Sequence, residues 1–326
     1  MAIDPSEYRR QYAEELQRQA QSQPGSQEFL NRSDSLSQQL EALAGRAQPL
    51  PEEDLANAIQ LIRDPAGEPA LRASALRAIG RDMGNREESI DTLLDLLKDQ
   101  TQPREVRLGA LKVLQMLAFI SPLFLSKRPE FLAALRSIVE DADAAVRQAV
   151  IEVLALEKDE YVQRRLNEGL DDPSRALVSP EKAIQLLGQD VHAELYPRLR
   201  EMIQNPPSPA AREEAVRLLA GDPESRELLV NLMSDKEEGL GIRSLSAAAL
   251  QSVDPLEFTE QAKKIVLDDA EEEELRITGL TGLTHFEDRP SWAPDREFIE
   301  GLERLKSESA SEPLKEAVDR YLNRTK

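Results

Sequence analysis

Few side chains in this chain could do covalent or metal chemistry. His192 and His285 are the only histidines among 326 residues, and there is no cysteine. Zinc binding, or a base activating a nucleophile, needs partner groups, and neither histidine has a second one at ligand spacing. Each reads as a satisfied or exposed imidazole. Without cysteine there is no disulfide, no thiolate site and no cysteine nucleophile. Gly-x-Ser-x-Gly, Gly-x-Gly-x-x-Gly and Walker-type loops are all absent. Gly279 and Gly282 lie three residues apart inside a helical pattern with no strand before it, which reads as close helix packing. No catalytic, cofactor-binding or metal residue is assigned, and no cofactor is expected.

The chemistry that remains is recognition. The run Phe119-Ile-Ser-Pro-Leu-Phe-Leu-Ser-Lys-Arg128 places Phe119, Ile120, Leu123, Phe124 and Leu125 beside Lys127 and Arg128. Apolar anchors next to cations have the composition of an interface centre. The competing reading folds Phe119 and Leu123 back over a helical seam, with Phe124 open to either role. A second candidate is Asp268-Asp-Ala-Glu-Glu-Glu-Glu274, where Glu271, Glu272, Glu273 and Glu274 could receive a basic partner segment. Its alternative is a solvated turn whose acids favour the helix that follows.

The elements that must hold these stretches show in the apolar periodicity. Val146, Ala149, Val150, Val153 and Leu154 form one helical stripe behind the acidic turn Asp141–Asp143. Phe131, Leu132, Leu135, Ile138 and Val139 form another ahead of it. Neither stripe can be buried by its own helix, so the unit is an antiparallel pair. The pattern recurs over about 51–83, 87–118, 129–156, 158–189, 190–220, 223–252, 255–285 and 294–323. Arg72, Arg107, Arg147, Arg212, Arg243 and Arg276 open its second helices, with Lys315 in the last pair. A period of roughly 35 residues is that of a solenoid. From Arg107 to Arg147 the spacing widens to 40, so the Phe119–Arg128 run is an insertion. Prolines mark helix starts independently, as in Ser179-Pro180, Ser208-Pro209, Asp222-Pro223 and Asp254-Pro255.

Residues 1–48 differ from the rest, with nine glutamines and thin apolar stripes (Tyr8, Tyr12, Leu16, Ala20; Leu36, Leu40, Leu43). They read as a helical extension, either a cap on the first pair or a partner-binding arm, with 49–326 as the repeat domain. No signal-length apolar core or membrane-length span occurs, so the cytoplasm is the expected compartment and no membrane contact is expected. The formal net charge of −20 opposes general binding to phosphate backbones.

The acidic turns followed by Val-Arg-x-x-Ala, as in Val106-Arg107-Leu-Gly-Ala110, together with Leu195-Tyr-Pro197 in a first helix, resemble short bacterial HEAT repeats. Repeats of this kind also occur in phycobilisome-lyase-like proteins. The resemblance covers about residues 50–326. It implies an all-α, right-handed solenoid of about eight helix pairs, with second helices lining the concave face. It also implies a structural arginine ladder, each arginine pairing with an acidic turn of its own or a neighbouring repeat. Arg175, ahead of Pro180, breaks the pattern in the fourth pair. The expected function is a non-enzymatic scaffold or adaptor binding a protein partner. The alternatives are a bilin lyase-like or chromophore-chaperone subunit and, against the acidic charge, a HEAT-like nucleic-acid enzyme.

Overall fold

The computed structural model describes residues 49–190, 194–284 and 296–324. The N-terminal extension, His192 and His285 lie outside them. Every regular element among the described residues is a helix. The chain divides into two compact units, ending and beginning at Val162 and Gln163.

In the first unit the helices are α1 (Glu52–Arg63), α2 (Pro69–Met83), α3 (Glu87–Lys98), α4 (Arg104–Ile120), α5 (Phe124–Ser137) and α6 (Ala144–Leu156). Each odd-numbered helix turns back into the even-numbered helix after it. The even-numbered helices α2, α4 and α6 then pack side by side in one layer, while α3 and α5 pack in the other. The sequence dictates this, because each helix carries a stripe too apolar to face water. Ile90, Leu93, Leu94 and Leu97 on α3 and Ala110, Val113, Leu114 and Leu117 on α4 are all buried, at the i, i+3, i+4, i+7 spacing of one helical face. Glycine lets the even layer close up. A methyl group on Gly80 of α2 would lie 2.9 Å from Val113 and 3.3 Å from Met116 of α4.

After α7 (Glu160–Asp171), the second unit continues with α8 (Pro180–Leu187), α9 (Leu195–Gln204), α10 (Pro209–Leu218), α11 (Arg226–Ser234) and α12 (Leu240–Val253). It ends with α13 (Pro255–Leu267), α14 (Glu273–Thr284), α15 (Arg296–Glu308) and α16 (Glu312–Arg324). Again one layer holds α8, α10, α12, α14 and α16 in succession, and the other holds α11, α13 and α15. Gly279 and Gly282 face Val266 and the Phe258 ring across the α13–α14 seam. Side chains cap several starts: Asp254 accepts from the N–H groups of Leu256 and Glu257, and Ser208 from that of Ala211.

Two sequence boundaries need correction. α4 runs to Ile120 and α5 starts at Phe124, so the inserted residues lengthen the two helices and leave only Ser121–Leu123 as connection. Pro129 therefore sits inside α5 instead of opening it. Pro197 falls in the first turn of α9, where its missing N–H removes no intrahelical bond.

Candidate functional site

The charged residues sort into those already used inside the fold and those left at its surface. The arginine ladder belongs to the first group. Arg72 donates through Nε to the Ile62 carbonyl (2.8 Å), Arg107 to Leu97 (3.0 Å), Arg212 to Ile203 (2.9 Å), Arg243 to Met233 (3.0 Å) and Arg276 to Val266 (2.9 Å). Each thus ties the start of an even-numbered helix to the last carbonyls of the odd one before it, where helical acceptors lack intrahelical partners.

The other end of the guanidinium reaches into the next turn. Arg107 grips Asp141 with two bonds (3.0 and 2.5 Å), Arg212 grips Glu238 (2.7 and 2.5 Å) and Arg243 grips Glu271 (2.6 and 2.6 Å). These are bidentate forks, the geometry for which arginine is suited and lysine is not. Hydrogen bonds from the arginines hold the carboxyl groups of Asp141, Glu238 and Glu271 below their ordinary range. At Arg72 the acceptor is Gln102 (2.7 Å), itself held by Asp99. With no carboxylate across the seam, burial pushes the Arg72 pKa down, against a partial pull upward from Asp64.

Two members depart. Arg147 donates to the Asp141 carbonyl, and Arg276 turns to Asp269 of its own turn at 3.4 Å. The ladder acceptors share an interval in the sequence. Gln102, Glu238 and Glu271 each precede the next ladder arginine by five residues, and Asp141 precedes Arg147 by six.

This assigns part of the acidic run. Glu271 is almost fully buried against Arg243, so its charge is already matched. Glu273 accepts from the Ser311 hydroxyl at 2.5 Å. Glu272 and Glu274 remain exposed.

The elbow between α4 and α5 has the opposite character. Its frame is buried. The Ser121 N–H bonds the Leu117 carbonyl (2.9 Å) and its hydroxyl the Gly84 carbonyl (2.6 Å). The Phe124 ring is 2% exposed and meets Phe131 edge-on, with centroids 5.3 Å apart. Phe124 is core, so it presents nothing to a partner. Lys127 pairs with Asp91 (2.8 Å) and Glu130 (3.2 Å), and Arg128 with Glu157. On this frame stand Phe119, Ile120, Leu123 and Leu125, exposed by 91, 50, 36 and 74%. Four apolar side chains are held in water by a connection of three residues.

Among the described residues, no group of three or more His, Asp or Glu could hold a metal ion, and no helix is long and apolar enough to cross a membrane. A shallow groove of about 400 Å³ between α3 and α5 is lined by Asp91, Leu94, Asp95, Lys98 and Glu130. Asp91 and Glu130 already serve Lys127, and Lys98 pairs with Asp95.

Residues 55–155 match the family model of HEAT repeats. That stretch, α1 to α6, is built of HEAT repeats. Among solved structures, the complex of CpcE and CpcF of phycocyanin lyase from Nostoc sp. PCC7120 is similar at 19% identity and a TM-score of 0.38. The likeness covers 80% of this chain and 97% of that one. No curated protein matches the sequence.

Proposed function

We propose that this protein is a non-enzymatic interaction scaffold whose α4–α5 elbow is a main contact with a protein partner. The observation that carries the reading is Phe119, an aromatic ring 91% exposed at the end of a rigid helix. Leaving such a ring in water forgoes roughly 2 kcal/mol of burial, and the frame of Phe124, Ser121 and the paired Lys127 keeps it from folding back. A fixed apolar anchor ringed by polar groups is what partner-binding energy concentrates on. The charged groups at the elbow are held in ion pairs beside the exposed apolar side chains, an arrangement suited to adhesion.

A photo-crosslinking residue at Phe119, with a control at exposed Leu256, tests this in cells. The scaffold reading expects a discrete protein adduct from Phe119, absent from Leu256 and suppressed by Leu125→Ser. Equal labelling from both positions would overturn it. Stoichiometric change in absorbance on adding a free bilin to the purified chain would replace the scaffold with a chromophore-handling subunit.

A further inference from the structure

The sequence pairs the apolar elbow with the neighbouring cations Lys127 and Arg128, but both are committed to acids of the first unit. The open cations come from elsewhere. Arg77 and Arg81 on α2 and Lys112 on α4 are exposed. No carboxylate among the described residues pairs with any of them; Arg77 only donates to the Ser74 hydroxyl of its own helix (2.7 Å).

Helix packing brings them together. A methyl on Gly109 would lie 3.1 Å from Leu76, and one on Gly80 would lie 3.3 Å from Met116 Cε. This register sets Arg77 and Arg81 alongside Lys112 and Met116 across the α2–α4 seam. Lys112, Met116 and Phe119 follow one another on a single face of α4 at i, i+4, i+7. Three uncompensated positive charges therefore lead along the even-helix face to the exposed ring. Glu105 lies two turns before Lys112 on the same stripe, and Glu152 stands on α6 beyond it; these bound the patch on its other sides.

Resting on the scaffold reading, we propose that this face receives a short acidic segment of a partner protein, its carboxylates on Arg77, Arg81 and Lys112 and an apolar side chain against Phe119 and Leu125. Along α4, seven residues separate Lys112 from Phe119, about 10 Å at the helical rise. The complementary segment spaces its acids and its anchor by about two helical turns, or by three residues if extended. Nucleic acid fits less well. Its affinity grows with the number of phosphates neutralised, whereas here three cations sit in a chain of net charge −20 beside an apolar anchor.

The test is selection of displayed random 16-residue peptides on the immobilised full chain, with enriched peptides then titrated by fluorescence anisotropy. Enriched sequences should carry net negative charge and an apolar residue at the predicted spacing. Charge reversal in R77E/R81E/K112E should weaken them at least about tenfold and shift the selection toward basic peptides. Phe119→Ala should weaken them about thirtyfold, as for a binding anchor. All these positions are exposed, so unchanged melting curves establish that the variants are folded. Enrichment without acid preference, no enrichment, equal binding by the triple variant, or tighter binding of a single-stranded oligonucleotide would each overturn the proposal. If the Phe119 crosslink persists in those cases, the scaffold stands and only the acidic partner falls; if the crosslink is also absent, both fall.

Discussion

The ladder seams and the α4–α5 elbow use the same residue types to opposite ends. At the seams Arg107 and Asp141 are 3% and 1% exposed as side chains, Arg243 and Glu271 2% and 3%. Each fork satisfies the other partner's charge and leaves nothing for a visitor. At the elbow the apolar side chains stay wet, and on the adjoining even-helix face Arg77, Arg81 and Lys112 keep their charge unmatched. In a repeat fold, then, a charged residue that lines a seam holds neighbours together. Arg77, Arg81 and Lys112, facing outward on even-numbered helices, are available. Charge density along the sequence separates the two poorly, since the densest acidic run contributes a seam acid while sparse cations make the open patch.

The contrast is most strongly tested by removing one member of a buried pair. Asp141→Ala leaves Arg107 charged and buried, and should cost about 3–5 kcal/mol by urea unfolding. A loss under 1 kcal/mol would mean the seam is wetter than its geometry. Phe124→Ala, which empties the elbow's frame without touching its exposed face, should cost a similar 3–5 kcal/mol. If stability instead held and only binding fell, the ring would be a surface anchor after all.

Acid should act through the seams. In the folded chain Asp141, Glu238 and Glu271 have lowered pKa values. Their contribution is therefore complete above the ordinary carboxylate pKa of about 4 and is lost as pH falls through the depressed folded values. Replacing the pair as Arg107→Met with Asp141→Leu should flatten the fall in stability below about pH 4 relative to the parent chain. An identical acid limb would remove these pairs as its cause. Within the acidic run, Glu271→Gln should lower stability measurably by weakening the fork to Arg243. Glu272→Gln with Glu274→Gln should stay within about 0.5 kcal/mol, as exposed positions do.

The smallest effect on stability belongs to the elbow surface. Phe119→Ala and Leu125→Ser should each shift the melting temperature by no more than about a degree. A drop of several degrees in either would place the side chain in the core.

Much of the architecture was readable beforehand, because burial periodicity and proline placement are local. The stripe of α6 and the starts of α2, α8, α10 and α13 needed no tertiary information. The ladder was half readable. Arg72, Arg107, Arg212, Arg243 and Arg276 stood out by period, while the acceptors of the first four belong to the following turn and were hidden among many polar residues. The elbow was located but mis-sorted. Phe119, Phe124 and Leu125 are similar side chains a few residues apart, and their fates depend on whether α4 stops at Ile120 and where α5 resumes. Pro129 suggested a later start, but α5 begins with Phe124, whose ring turns inward to Phe131.

The chain's own pattern thus determined an all-helical repeat and the recurrence of its arginines, since each follows from residue type and interval. Which charges were already matched was decided only by the tertiary structure. A charge is neutralised by what lies within a few ångströms of it, and helix packing brings those groups from about 30 residues away. Lys127 and Arg128, next to the apolar run in sequence, proved occupied. Arg77, Arg81 and Lys112, of which the first two lie on another helix, proved open.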